Sequence, residues 1–201
     1  YYRKIIGKKT LVCEATGNYF FHPYAAERIK KYLPNVKLIV MMRNPVERTF
    51  SQYRRQVRHG KQSASFEESL ENEHKLYEKE FQKFLENDNL ERDVDTKISI
   101  LARSRYSEAL ERWLTYFDKS QFLFLNSDSY FKNPQEEYNR VLSFLDLPPD
   151  YPLVTGKRGI NPSGIYENIQ LNDDTREKLK KYFEPWNNKL FNLIGHEFDW
   201  K

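Results

Sequence analysis

Five apolar residues, Leu38 to Met42, run into an arginine, and Asn44-Pro45 follow at once. A short apolar run with β-branched members, bounded by Lys37 and Arg43, reads as a buried strand. Pro45 suits the first position of a helix, because that position needs no backbone donor and the ring presets its φ. The stretch is therefore a strand-to-helix turn with a charge at its hinge. A charge placed directly after such a run needs a partner or an opening to water. Open α/β sheets hold their ligands at the carboxyl ends of strands. Arg43 is on these grounds a candidate anion ligand.

The helix that follows is two-sided. Val46, Phe50, Tyr53 and Val57 are spaced four, three and four, and share one face. Arg48, Ser51, Arg55 and Arg58 fall on roughly the opposite face. A guanidinium fork from Arg43 and a hydroxyl from Ser51 two turns along suit a phosphate. The plain alternative for Arg48, Arg55 and Arg58 is a row of solvent-facing charges.

The rest of the chain alternates in the same manner. "TLVCEA" (Thr10 to Ala15) reads as a second buried strand, and "HPYAAERIKKYLP" between the two as a helix stopped by Pro34. Strand, helix, strand implies a parallel crossover. Ser65 and Glu68 form a capping box at the head of a charged helix. "RYSEALERWLTYF" is amphipathic through Tyr106, Leu110, Trp113, Leu114 and Phe117. "QFLFL" is a third strand. "NPQEEYNRVLSFLDLPP" is a helix opened by Asn133-Pro134, and "TGKRGINPSG" a loop. The last helix contains Pro185, a candidate kink.

The expectation is one α/β domain over residues 1–201, a three-layer fold like that of P-loop NTPases, with a mainly parallel central sheet flanked by helices. With 15% aromatic residues the chain has ample material for a core, so disorder is excluded. A formal charge of +4 is too mild to single out nucleic acid as partner. Cys13 is the only cysteine, which rules out an intrachain disulfide and a cysteine-rich zinc site and fits a reducing, cytoplasmic setting. The four histidines have no metal-ligand spacing, and no metal is expected. No apolar run is long enough to span a bilayer.

"RNPVERTFS" resembles the motif of sulfotransferases that use phosphoadenosine phosphosulfate (PAPS). The resemblance implies that Arg43 and Ser51 bind the 3′-phosphate of the nucleotide. "CEATGNYFFHPYAAERIKKYLPNVK" resembles the segment just upstream in bacterial and heparan-type members. "SRYSEALERWLTYFDKSQFLFL" is similar to the family's Tyr-containing helix and next strand, which puts Tyr106 at the adenine contact. Lys157, Arg158 and Gly159 resemble the basic-basic-Gly motif that closes on the same phosphate. The C-terminal helix and the ending also match. Glu14, Tyr19 and Arg55 would then lie on the acceptor side.

The implied reaction moves a sulfuryl group from PAPS to a hydroxyl or amine of a small-molecule, glycan or carrier-tethered acceptor, with PAP (adenosine 3′,5′-bisphosphate) leaving. The sequence also departs from the family. Its first strand, phosphosulfate loop and helix have no counterpart here, so the domain is expected to be incomplete at its N-terminus. The position four after Ser51, His in some relatives, is Arg55. The residue after Glu14, commonly Lys in heparan-type members, is Ala15. No general base is assigned. The alternatives are a nucleotide- or nucleic-acid-binding, catalytically inactive derivative, with Arg48, Arg54, Arg55, Arg58 and Tyr53 as the nucleic-acid stripe, and a nucleotide kinase-like phosphotransferase. The last would need a Walker-type loop that the sequence lacks.

Overall fold

The computed structural model describes residues 2–6, 9–73, 100–153 and 169–200. Strands β1 (Tyr2–Ile6) and β2 (Lys9–Cys13) pair antiparallel, Ile6 opposite Lys9 and Tyr2 opposite Cys13. Helix α1 (Ala25–Tyr32) leads to β3 (Leu38–Met42) and α2 (Pro45–Arg58). Residues 66–73 are helical (α3). A 3-10 turn (Ala102–Ser104) precedes α4 (Tyr106–Leu114), then β4 (Phe122–Asn126), α5 (Ser127–Lys132), α6 (Pro134–Phe144) and α7 (Asp173–Ile194). Helix α7 runs through Pro185 without interruption and ends on Gly195, whose φ of 83° is the left-handed conformation glycine adopts without strain.

β3 and β4 lie parallel, Leu38 beside Phe122 and Met42 beside Asn126. One core gathers on this pair: Ala25 and Ala26 of α1, Met42, Phe122 and Phe124 of the strands, Tyr106, Leu110, Trp113 and Phe117, and Leu190 and Ile194 of α7. A second core joins Val46, Phe50 and Tyr53 of α2 to Phe66, Ile100, Leu101, Leu179 and Phe183. Helix α7 contributes to both and so ties them together. The two-sided reading of α2 holds on its apolar side, with Val46, Phe50 and Tyr53 all buried. The capping box also forms: Glu68 Oε2 accepts from the Ser65 amide at 2.9 Å, and Ser65 Oγ from the Glu68 amide at 3.2 Å.

Two strand expectations need correction. The segment Thr10 to Ala15 does not join β3 through a parallel crossover. Its strand pairs with β1, from which only Gly7 and Lys8 separate it in sequence, and a two-residue link makes the hairpin the nearest pairing. It is not buried either, since Val12 is 60% exposed. Among the described residues, β3 is covered on one face only. Leu38, Val40 and Met42 meet the core, while Ile39 and Met41 are 42% and 49% exposed. Its alternation was hidden in the sequence because both faces carry apolar residues.

Candidate functional site

The turn after β3 is built by three polar contacts. Asn44 caps α2, its Oδ1 accepting from the Val46 amide at 2.9 Å. The buried Tyr106 hydroxyl accepts from the Arg43 amide at 3.3 Å and donates to the Arg43 carbonyl at 3.1 Å. Both backbone groups of Arg43 are thus held from α4 while its side chain stays 44% exposed. Among the described residues the carboxylate nearest its guanidinium is Glu47, at 4.0 Å, and Glu47 is also engaged by Arg176 of α7. Arg43 is therefore fixed at its backbone and lightly held at its charged end, as an anion ligand requires.

Ser51 is exposed on α2, six residues beyond Pro45 and so about 9 Å along the helix. Arg55 is exposed one turn further on. Arg48 departs from the solvent-facing reading. It is partly buried, its Nη1 donating to Ser104 Oγ at 3.2 Å, and desolvation pulls its pKa down. The periodicity placed it with Ser51 and Arg55, but the 3-10 turn, whose Ser104 lies 56 positions along the chain, packs against it. The four-arginine stripe of the nucleic-acid reading loses a member for the same reason.

Sequence reasoning missed Arg103 and Ser104. Arg103 Nη1 donates to Asn18 Oδ1 at 3.1 Å, and the guanidinium lies 5.4 Å from the Phe21 ring centre. Burial, with Arg48 and Arg55 adding like charge, lowers its pKa to about 10. The signal available was two arginines flanking a serine immediately before an amphipathic helix. Arg48 and Arg55 both act on the charge of Arg103, and Arg48 acts with Arg43 on Tyr106, so an electropositive region joins these arginines.

Arg103 also links this region to the turn that carries Tyr19. Tyr19 is 40% exposed, whereas Phe20 stacks on Trp113 with ring centres 6.3 Å apart. Trp113 Nε1 donates to the Phe20 carbonyl at 3.0 Å, and Arg112 Nη2 to the Phe21 carbonyl at 3.1 Å, so α4 holds the turn by its backbone. Glu14 is exposed and accepts from Thr16 Oγ1 at 2.6 Å. Tyr106 is 6% exposed, its ring tilted against Trp200, with centres 6.0 Å apart. It sits behind Arg43 as a strut. Lys157, Arg158 and Gly159 lie outside the described residues.

This architecture is shared with a sulfotransferase from Alicyclobacillus acidocaldarius, at a TM-score of 0.69 over 90% of this chain and 63% of that one, with 24% identity. The expected α/β sulfotransferase fold is therefore the fold of the chain. A family model described as a sulfotransferase domain matches residues 22–189, and the chain belongs to that family. Mouse heparan sulfate glucosamine 3-O-sulfotransferase 5 is 29% identical over 94% of this chain and 56% of its own length. Human carbohydrate sulfotransferase 15 is 27% identical over 86% of this chain and 32% of its own. The chain thus spans about half the length, or less, of these curated relatives. Among the described residues no helix is long and apolar enough to cross a membrane.

Proposed function

We propose that this chain supplies the 3′-phosphate-binding part of a PAPS-dependent sulfotransferase that acts on a hydroxyl or amine of a glycan or other small or carrier-tethered acceptor. The observation that carries the reading is Arg43, whose peptide is clamped by Tyr106 and whose guanidinium is half exposed at a strand's carboxyl end. The fit to the nucleotide rests on charge. Arg48 and Arg55 depress Arg103, and a phosphate dianion beside them relieves that repulsion. In this reading Arg43 and Ser51 hold the 3′-phosphate, and Lys157, Arg158 and Gly159 are assigned to the same group. The nucleotide, when bound, supplies the activated sulfuryl group. The chain's own residues act by orientation, anchoring the leaving nucleotide at a point remote from the sulfur.

Glu14, Tyr19 and Arg55 are assigned to the acceptor side. The Arg103–Asn18 bond supports this for Tyr19 and Arg55, because it ties the turn of Asn18 and Tyr19 to an arginine whose charge Arg55 of α2 also feels. The glycan-acting names of the relatives support a sugar acceptor. A cytoplasmic setting belongs to the same reading and rests on the lone Cys13. Calorimetry with PAP and AMP tests the cofactor assignment. PAP should bind more tightly by about 2–3 kcal/mol, the size of a charge-assisted contact at a phosphate. Equal affinities would sink the proposal, since the 3′-phosphate is what separates the two nucleotides.

A further inference from the structure

Glu73, at the end of the described part of α3, is 3% exposed. Its carboxylate takes the Leu101 amide at 2.8 and 2.9 Å, one bond to each oxygen, and the Ala102 amide at 3.0 Å. These donors open the 3-10 turn Ala102–Ser104, so Glu73 acts as a cap supplied from outside the segment. The two functional contacts described above leave from the far side of that turn. Ser104 Oγ meets Thr49 Oγ1 at 2.9 Å and accepts from Arg48 Nη1 at 3.2 Å. Tyr106, two residues on, clamps both backbone groups of Arg43. One buried carboxylate thus holds the start of the segment from which Ser104 and Tyr106 reach the anion-binding turn.

We propose that Glu73 is a positioning residue of the nucleotide site, setting the Arg43 peptide through Tyr106 and the Arg48 guanidinium through Ser104. This rests on the proposed function for its purpose, and on the hydrogen bonds alone for its geometry. Desolvation raises the pKa of Glu73 even against its backbone donors and Arg105. The geometry it fixes is definite: one oxygen accepts both amides and the other accepts Leu101 again, so two successive backbone donors are aimed at one side chain.

The test replaces Glu73→Gln in the full chain and reads amide hydrogen exchange by NMR beside nucleotide binding. Glutamine keeps the shape and loses one acceptor oxygen. Exchange at Leu101 and Ala102 should rise about tenfold, and the Arg43 amide, which Glu73 does not touch, should rise with them. The amides of β4 should not change. The preference for PAP over AMP should fall by about tenfold. Ser104→Ala is the second variant. It leaves the Glu73 cap in place, so it must lower the PAP preference without speeding exchange at Leu101. Combined with Glu73→Gln it must lower that preference by less than the product of the two single losses. Faster exchange at Leu101 and Ala102 with an unchanged Arg43 amide would reduce Glu73 to a local cap and overturn the proposal. A wild-type protein that binds PAP and AMP equally would defeat the proposed function instead, and the Arg43 exchange rate would still decide the role of Glu73.

Discussion

Arg43 and Arg48 belong to one nine-residue motif, and the fold treats them in opposite ways. Arg43 has its backbone locked and its charge left half in water. Arg48 has its charge drawn under the 3-10 turn, onto Ser104, at a cost in desolvation. A guanidinium of the first kind is available to a ligand without loss to the fold. One of the second kind is shaped by the fold and acts on a ligand through its field and through what it holds in place. The contrast shows that two arginines in a basic motif need not share a role, and it can be tested from both sides.

The largest effect concerns the helix that sets the two apart. Phe50 is 7% exposed, with ring centres 5.2 Å from Phe66 and 6.4 Å from Tyr53. Phe50→Ala should destabilise the fold by about 3–5 kcal/mol, as loss of a buried aromatic does. Denaturant melts measure this. A loss under about 1 kcal/mol would mean that α2 is turned otherwise, and the distinction between its two arginines would fall with it.

Next comes the exposed member. Arg43→Ala should lower PAP affinity by about 2–3 kcal/mol while AMP affinity and the melting midpoint hold nearly constant. Titration calorimetry on the variant, paired with a thermal melt, separates the two. Equal losses for PAP and AMP would show that Arg43 contacts something other than the 3′-phosphate.

Tyr106→Phe probes the strut behind it. The ring stays and the hydroxyl goes, leaving the Arg43 amide and carbonyl without their partner. The expected cost to stability is about 1–2 kcal/mol, that of two ordinary hydrogen bonds at a partly buried site. Because the Arg43 peptide is then loose, the PAP preference should fall as well. A stability loss with an unchanged PAP preference would make Tyr106 a core residue and no more.

These residues also mark what a sequence discloses. The amphipathic helices were legible because Val46, Phe50 and Tyr53, or Tyr106, Leu110 and Trp113, repeat at the helical period and are buried. Arg43 and Ser51 could be picked out as candidates because the motif lies in one continuous stretch, and the structure leaves both side chains exposed. The fate of Arg48 was not, since periodicity assigns a face of a helix and cannot say which distant segment lands on it. Glu73 and Arg103 escaped for the same reason, as their contacts cross 28 and 85 positions of chain. The strand Lys9–Cys13 misled in another way. Its apolar residues suggested burial, but a partner strand two residues away offered a pairing that needs no crossover.

The smallest expected change, Arg48→Met, tests the comparison from its buried side. Methionine matches the stem of arginine and fills irregular space without opening a large cavity. Removing the charge relieves a desolvated cation that faces Arg103 across the same region. It also removes the hydrogen bond to Ser104, which keeps Thr49 as a partner at 2.9 Å. The gain from relieved desolvation and the loss of one hydrogen bond are of similar size, so stability should stay within about 1 kcal/mol of wild type. Replacement of a buried ion by an apolar side chain of like volume often comes out neutral or favourable, which sets the expected sign toward a gain. The pKa of Arg103 should rise, because one of its like-charged neighbours is gone. PAP binding should weaken with no such compensation, since the phosphate loses part of its positive surroundings. Melts and calorimetry on this one variant then diverge, stability held and nucleotide affinity reduced. A variant that loses stability and affinity in equal measure would show that the Arg48–Ser104 bond holds the turn together, and the contrast with Arg43 would be one of exposure alone.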